Sequence, residues 1–134
     1  MARLDMTAGG ESEDDLHQLY LENAHADVAA LLQLSKQVSA DPAEWADAAE
    51  RMREIVHNIK GQGTSFGYPL MTRVGGSLTI LLKRAHTADD AVHKLLAAHI
   101  ETLRTVLEKD IKGSGGELGE TLAYRLERLV DKLV

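Results

Sequence analysis

His57 and Lys60 stand in the run His57-Asn58-Ile59-Lys60-Gly61-Gln62-Gly63-Thr64-Ser65-Phe66-Gly67. On a helix, that i,i+3 spacing puts an imidazole and an ammonium group on one face, one turn apart. A neutral imidazole is a competent nucleophile. A cation beside it offsets part of the charge of an incoming phosphoryl group, an effect that solvent keeps small. A glycine in a helix interior costs roughly 1 kcal/mol relative to alanine. Gly61 and Gly63 beside these two residues therefore predict a surface cleared for something large, against the plainer reading of packing or early cap glycines. The chain has no Ser–His–Asp spacing and no phosphate-binding glycine loop. It thus lacks its own apparatus for activating ATP or water, and a partner must complete any chemistry at His57.

The elements that position this run are read from apolar spacing. A first helix is expected from about Glu13 to Val38, with Leu16, Leu19/Tyr20, Ala24, Val28, Leu31 and Ser35 inward. Asp41-Pro42 ends it and opens the next, with Asp at the N-cap and Pro at the first helical position. The second helix carries Trp45, Ala48/Ala49, Met52, Ile55/Val56, Ile59, Gly63 and Phe66 on one face and ends at Gly67. At about 100° per residue, His57 falls on the side opposite this stripe, sharing a face with Arg53, Glu54, Lys60, Gly61 and Thr64. A third helix starts at Pro69, with Leu70/Met71, Val74, Leu78, Leu81/Leu82 and Ala85 inward. Its outward positions include Thr72, Gly76, Thr79 and Lys83, and Gly75-Gly76 again weakens a helix interior. Close helix contact explains one glycine of that pair, and a flat docking floor the other.

Thr87-Ala88-Asp89-Asp90 resembles a capping box before a fourth helix with Val92, Leu95/Leu96, His99, Leu103 and Val106/Leu107 inward. Gly113-Ser114-Gly115-Gly116 breaks the chain before a last helix striped by Leu118, Leu122, Leu126, Leu129 and Leu133. The expectation is an all-α fold, an antiparallel four-helix bundle with an additional helix, five in all. Residues 1–12 are expected to be a flexible N-terminal leader, and 13–134 the bundle domain. His99 reads as a satisfied core residue, His17 and His93 as surface, and Trp45 and Tyr124 as packing.

Composition narrows the function. The 134 residues fit one domain, 44% apolar and only 4% aromatic, the makeup of helix packing. A net charge of −6 supplies no basic footprint for nucleic acid or anionic lipid. No cysteine is present, which removes disulfides and thiolate chemistry and suits a reducing cytoplasm. No apolar run reaches the length of a membrane span.

His57-x-x-Lys60-Gly61, continuing through Thr64-Ser65-Phe66-Gly67-Tyr68, resembles the histidine-containing phosphotransfer (HPt) domain. It is most similar to the version found at the start of chemotaxis-type histidine kinases. The motif spans about a dozen residues, and the helical order over about 40–112 runs in the same sense. The resemblance implies that His57 is the phosphoacceptor, Lys60 the phosphoryl-stabilising residue and Gly61 the clearance position. The outward faces of the second and third helices are expected to dock the partner over Arg53, Gly61, Thr64, Gly76, Thr79 and Lys83. The partners implied are a response-regulator receiver domain, which brings the Mg²⁺, and a histidine kinase, hybrid or otherwise. No tightly bound cofactor or metal is implied, nor any nucleic acid or membrane partner. Such a chain would be a cytoplasmic, monomeric phosphorelay intermediate without catalytic turnover, freestanding or excised from a larger protein. Two positions depart from the pattern. Thr79 stands where many members place an acid or amide, and Gly76 where the chemotaxis-type version often has a histidine.

Two other readings compete. Glu22-x-x-His25 and Glu54-x-x-His57, with Glu101 and Glu127, have the residue types of a di-metal carboxylate bundle. Its ligands must point into the core, whereas His57 points away from it. The other is an HPt-like module that binds a receiver or kinase without accepting phosphate.

Overall fold

The computed structural model describes residues 10–134, with side chains from residue 13. Of the leader expected over 1–12, residues 1–9 lie outside the described residues. Residues 10–12 instead open the first helix. Five α-helices make up the described chain, with no strand among them: α1 (Gly10–Gln37), α2 (Pro42–Gly63), α3 (Pro69–Arg84), α4 (Asp90–Glu108) and α5 (Gly116–Leu133). Acids at Glu13, Asp14 and Asp15 suit the positive N-terminal end of α1.

The boundaries follow local chemistry. Asp41 caps α2 by accepting a hydrogen bond from the Glu44 amide at 3.0 Å, and Pro42 takes the first helical position, where no amide is needed. The expected end of α2 at Gly67 resolves into two pieces. The α-helix stops at Gly63, and a 3₁₀ turn runs over Thr64–Phe66. Gly67, at φ 94°, then reverses the chain, with the Tyr68 amide donating to the Gly63 carbonyl at 2.8 Å. The cap of α4 is Asp89, which accepts from the Val92 amide at 2.9 Å. Thr87, expected in that role, instead donates to the Ala40 carbonyl at 2.7 Å and ties this turn to the α1–α2 connection.

Contacts between α1 and α2, α2 and α3, α3 and α4, and α4 and α1 close a ring, and α5 packs mainly against α3 and α4. Inside the ring Leu31, Trp45, Met52, Val56, Ile59, Met71, Leu78, Leu81, Leu96 and Leu103 are buried. Each large apolar side chain so buried contributes about 1.5–3 kcal/mol. The Trp45 indole donates to the Ala85 carbonyl at 2.8 Å, so its one polar group is satisfied.

The expected stripes need correction at two helices. On α1, Tyr20, Ala24, Val28, Leu31 and Ser35 are buried, but Leu16 and Leu19 are exposed. On α5 the buried line is Ala123, Leu126 and Val130, while Leu118, Leu122, Leu129 and Leu133 flank it in solvent. A helix laid outside a ring, with two neighbours, covers a narrower arc than one inside it. Tyr124 is exposed rather than packed.

Candidate functional site

Met52, Val56, Ile59 and Gly63 form the buried line of α2 and fix the rotation of the helix. His57 consequently faces outward and is exposed, with Asn58 and Gly61 beside it. On one side of His57 lies α3. The contacts descend α2 as they climb α3: Gly63 against Thr72, Lys60 against Gly75, and Arg53 against Leu82. This register sets Gly76 and Thr79 beside the turn that carries His57 and Lys60.

The four glycines of α2 and α3 divide cleanly. A Cβ on Gly63 would lie 2.9 Å from Thr72 Oγ1 and 3.0 Å from both Met71 Cβ and the Tyr68 carbonyl oxygen, so Gly63 is a packing residue. Gly75 is also packed, against Lys60 and Val56. Gly61 and Gly76 would meet nothing within 4 Å. The helix propensity lost at those two positions has no internal packing reason.

The remaining site residues are held in different ways. The half-buried Arg53 donates from Nη1 to the Leu82 carbonyl at 3.4 Å, a long contact that places its cation at the C-terminal end of α3. Thr64 opens the 3₁₀ turn, where its amide and hydroxyl bond Thr72 Oγ1 at 3.1 and 2.9 Å. Lys83 is exposed. The Thr79 hydroxyl donates to the Gly75 carbonyl at 2.9 Å. It therefore turns back onto its own helix rather than towards the imidazole.

On the other side of His57 is a cleft of about 500 Å³ between α1 and α2. Tyr20, Asn23, Asp27, Asn58 and Gln62 line it together with His57. Burial raises the pKa of the Asp27 carboxyl. Burial, and then the nearby Asp27 charge, raises that of the Tyr20 phenol. The Tyr20 hydroxyl is buried without a hydrogen-bond partner. The α1 wall was missed in the sequence. Asn23 and Asp27, one turn apart beside the buried Ala24, were its only signal.

An aromatic cluster closes the far end of α2. Tyr20 stacks on Phe66 with centroids 4.8 Å apart. The buried Tyr68 hydroxyl bonds Asp110 and lies 3.0 Å from His17 Nε2. His17 is thus half-buried in a contact joining α1 to the start of α3, not a free surface residue, and His93 is half-buried as well. His99 is fully buried. Its Nδ1 donates to the Leu95 carbonyl at 2.8 Å, so its Nε2 accepts from the Ser77 hydroxyl, also at 2.8 Å.

The di-metal arrangement is not assembled. Glu22, His25, Glu54, His57 and Glu101 are exposed, and Glu127 forms a two-point ion pair with Arg73 at 2.8 and 2.9 Å. Among the described residues no group of three or more His, Asp or Glu side chains converges as a metal site would require. Comparison with protein-family models, curated proteins and solved structures gave no match.

Proposed function

We propose that this protein is a histidine phosphotransfer protein of a multistep phosphorelay, with α1 to α4 as an antiparallel four-helix bundle and α5 packed outside it. The observation that carries the reading is the exposed His57 imidazole flanked by two helical glycines, Gly61 and Gly76, that touch nothing. Helix-weakening residues without a packing role suit a surface kept low for a partner.

In this reading His57 Nε2 attacks the phosphorus of a receiver's aspartyl phosphate. The bond from phosphorus to the carboxylate oxygen breaks, the aspartate leaves, and a phosphorus–nitrogen bond forms as the ring loses its Nδ1 proton to water. Passing the group to a second receiver reverses these steps. Lys60 offsets part of the phosphoryl charge, while the receiver's Mg²⁺ and lysine supply most of the transition-state stabilisation. The receiver docks across Arg53, Gly61, Thr64, Gly76, Thr79 and Lys83, with Thr79 contributing surface rather than a bond to His57. A histidine kinase stands upstream. The protein acts as a cytoplasmic monomer with no catalytic turnover of its own. No described helix is long and apolar enough to cross a membrane.

The test is transfer of label from a phosphorylated receiver to the protein, with His57→Gln beside it. Acid-labile label on the wild type and none on the variant is the expected result. Label retained by the variant, or absent from the wild type across a panel of receivers, sinks the proposal. A second reading, binding without phosphorylation, is favoured by one observation: Thr79, bonded to Gly75, leaves the imidazole without the family's usual orienting group. Receiver binding by wild type and His57→Gln alike, with no label on either, would select it.

A further inference from the structure

Gly75 and Gly76 are neighbours in the middle of α3, yet only Gly75 is filled from outside. A Cβ built on Gly75 would lie 2.6 Å from Lys60 Cγ, 3.5 Å from Lys60 Cδ and 3.5 Å from Val56 Cγ1. The first distance is far inside van der Waals contact. The half-buried Lys60 therefore does not simply reach from α2 into water: its stem lies against the bare backbone of α3 at Gly75. The backbone beneath it is held too, because Thr72 Oγ1 donates to the Lys60 carbonyl at 3.2 Å. Val56, one turn below Lys60, closes the seat from the core side.

We propose that Gly75 is a positioning residue for Lys60, its missing side chain forming a seat that lays the lysine stem across α3 and presents the ammonium group beside His57. This rests on the phosphotransfer reading above. A solvated lysine samples many rotamers and must be ordered when a phosphoryl group arrives. A stem already seated has lost part of that freedom in the resting protein. The two glycines then serve separate ends, Gly75 holding this chain's own cation and Gly76 leaving the surface beside it open.

The experiment is a double-mutant cycle of Gly75→Ala and Lys60→Ala in the full chain, read both by transfer from a phosphorylated receiver and by thermal melting. Lys60→Ala should slow transfer roughly tenfold or more, the range of one charge-assisted contact. Gly75→Ala should slow it by as large a factor, and the double variant no further. In melting, Gly75→Ala should lower the Tm of the wild type, because its methyl collides with the lysine stem. The same change should raise the Tm of Lys60→Ala, because the space is then free and alanine favours the helix. An equal Tm shift in both backgrounds, or transfer losses that multiply, overturns the seat. If Lys60→Ala transfers at the wild-type rate, or no label reaches His57 at all, the positioning role falls with the functional reading. The melting cycle then still reports separately whether Gly75 seats the stem.

Discussion

Replacing Gly61 with alanine should stabilise the fold and slow transfer at the same time. A Cβ there meets nothing within 4 Å. Gly61 is also not among the glycines with positive φ, which are Gly67, Gly113, Gly115 and Gly116. The helix-propensity difference of about 0.8–1.0 kcal/mol is therefore realised without an opposing clash. For a domain of this size that is a Tm rise of roughly 3–5 °C. Two residues on, the same substitution should do the reverse. At Gly63 the new methyl presses on Thr72 Oγ1, which cannot retreat without loosening its bonds to Thr64 and Lys60. An overpacking cost of about 1–3 kcal/mol then outweighs the propensity gain. Thermal and urea melting of both variants, with unchanged urea m-values, measure these terms. In a docked complex the Gly61→Ala methyl becomes a wedge. At about 1–3 kcal/mol of interface strain, the second-order transfer rate from a phosphorylated receiver should fall roughly 5- to 150-fold. A destabilised Gly61→Ala refutes the open space. A stabilised Gly61→Ala that transfers at the wild-type rate refutes the approach of a partner over this position.

Two further outcomes concern the core. Burial lowers the pKa of His99 below its ordinary 6.5, against a smaller raising effect from the Leu95 carbonyl. The unfolded chain thus takes up the proton first. The stability is complete above about pH 6.5 and is lost as pH falls towards the lowered value, at no more than about 1.4 kcal/mol per pH unit from this one group. Urea titrations from pH 7.5 to 5 should show that slope, and His99→Gln should flatten it; an unchanged slope would assign it elsewhere. Tyr68→Phe should cost about 2 kcal/mol through the lost bonds to Asp110 and His17. Burial first, and then the Asp110 hydrogen bond, pushes the Tyr68 phenol up to about 12 from 10.0. That contribution is complete below pH 10 and lost as pH rises towards 12. Alkaline melting of the wild type should therefore fall more steeply over that window than melting of Tyr68→Phe, and parallel curves would refute the assignment.

Much of the helix layout was legible because its signals are local. Asp41-Pro42 acts within one turn, and apolar residues at threes and fours state the rotation of α2, which was enough to turn His57 outward. The stripes on α1 and α5 were overread for a physical reason. Leucines at helical spacing record an amphipathic face, but the width of the buried arc depends on how many neighbours the helix finds. With α5 outside the ring, four of its five stripe leucines stay in solvent. Thr87 misled in a similar way, since its hydroxyl is taken by the Ala40 carbonyl of a distant connection rather than by its own helix.

By itself, the amino-acid sequence determined which side chains could do chemistry and that His57 and Lys60 share a face, since both follow from residue type and the period of a helix. It could not separate the glycines. Gly61, Gly63, Gly75 and Gly76 carry the same helix penalty as sequence, and only the packing of α2 on α3 made two of them contacts and left two open. Tertiary structure alone also turned the Thr79 hydroxyl onto Gly75 and brought α1 alongside His57. Those outcomes depend on register and distance between helices, which many weak contacts decide together and no local run of residues encodes.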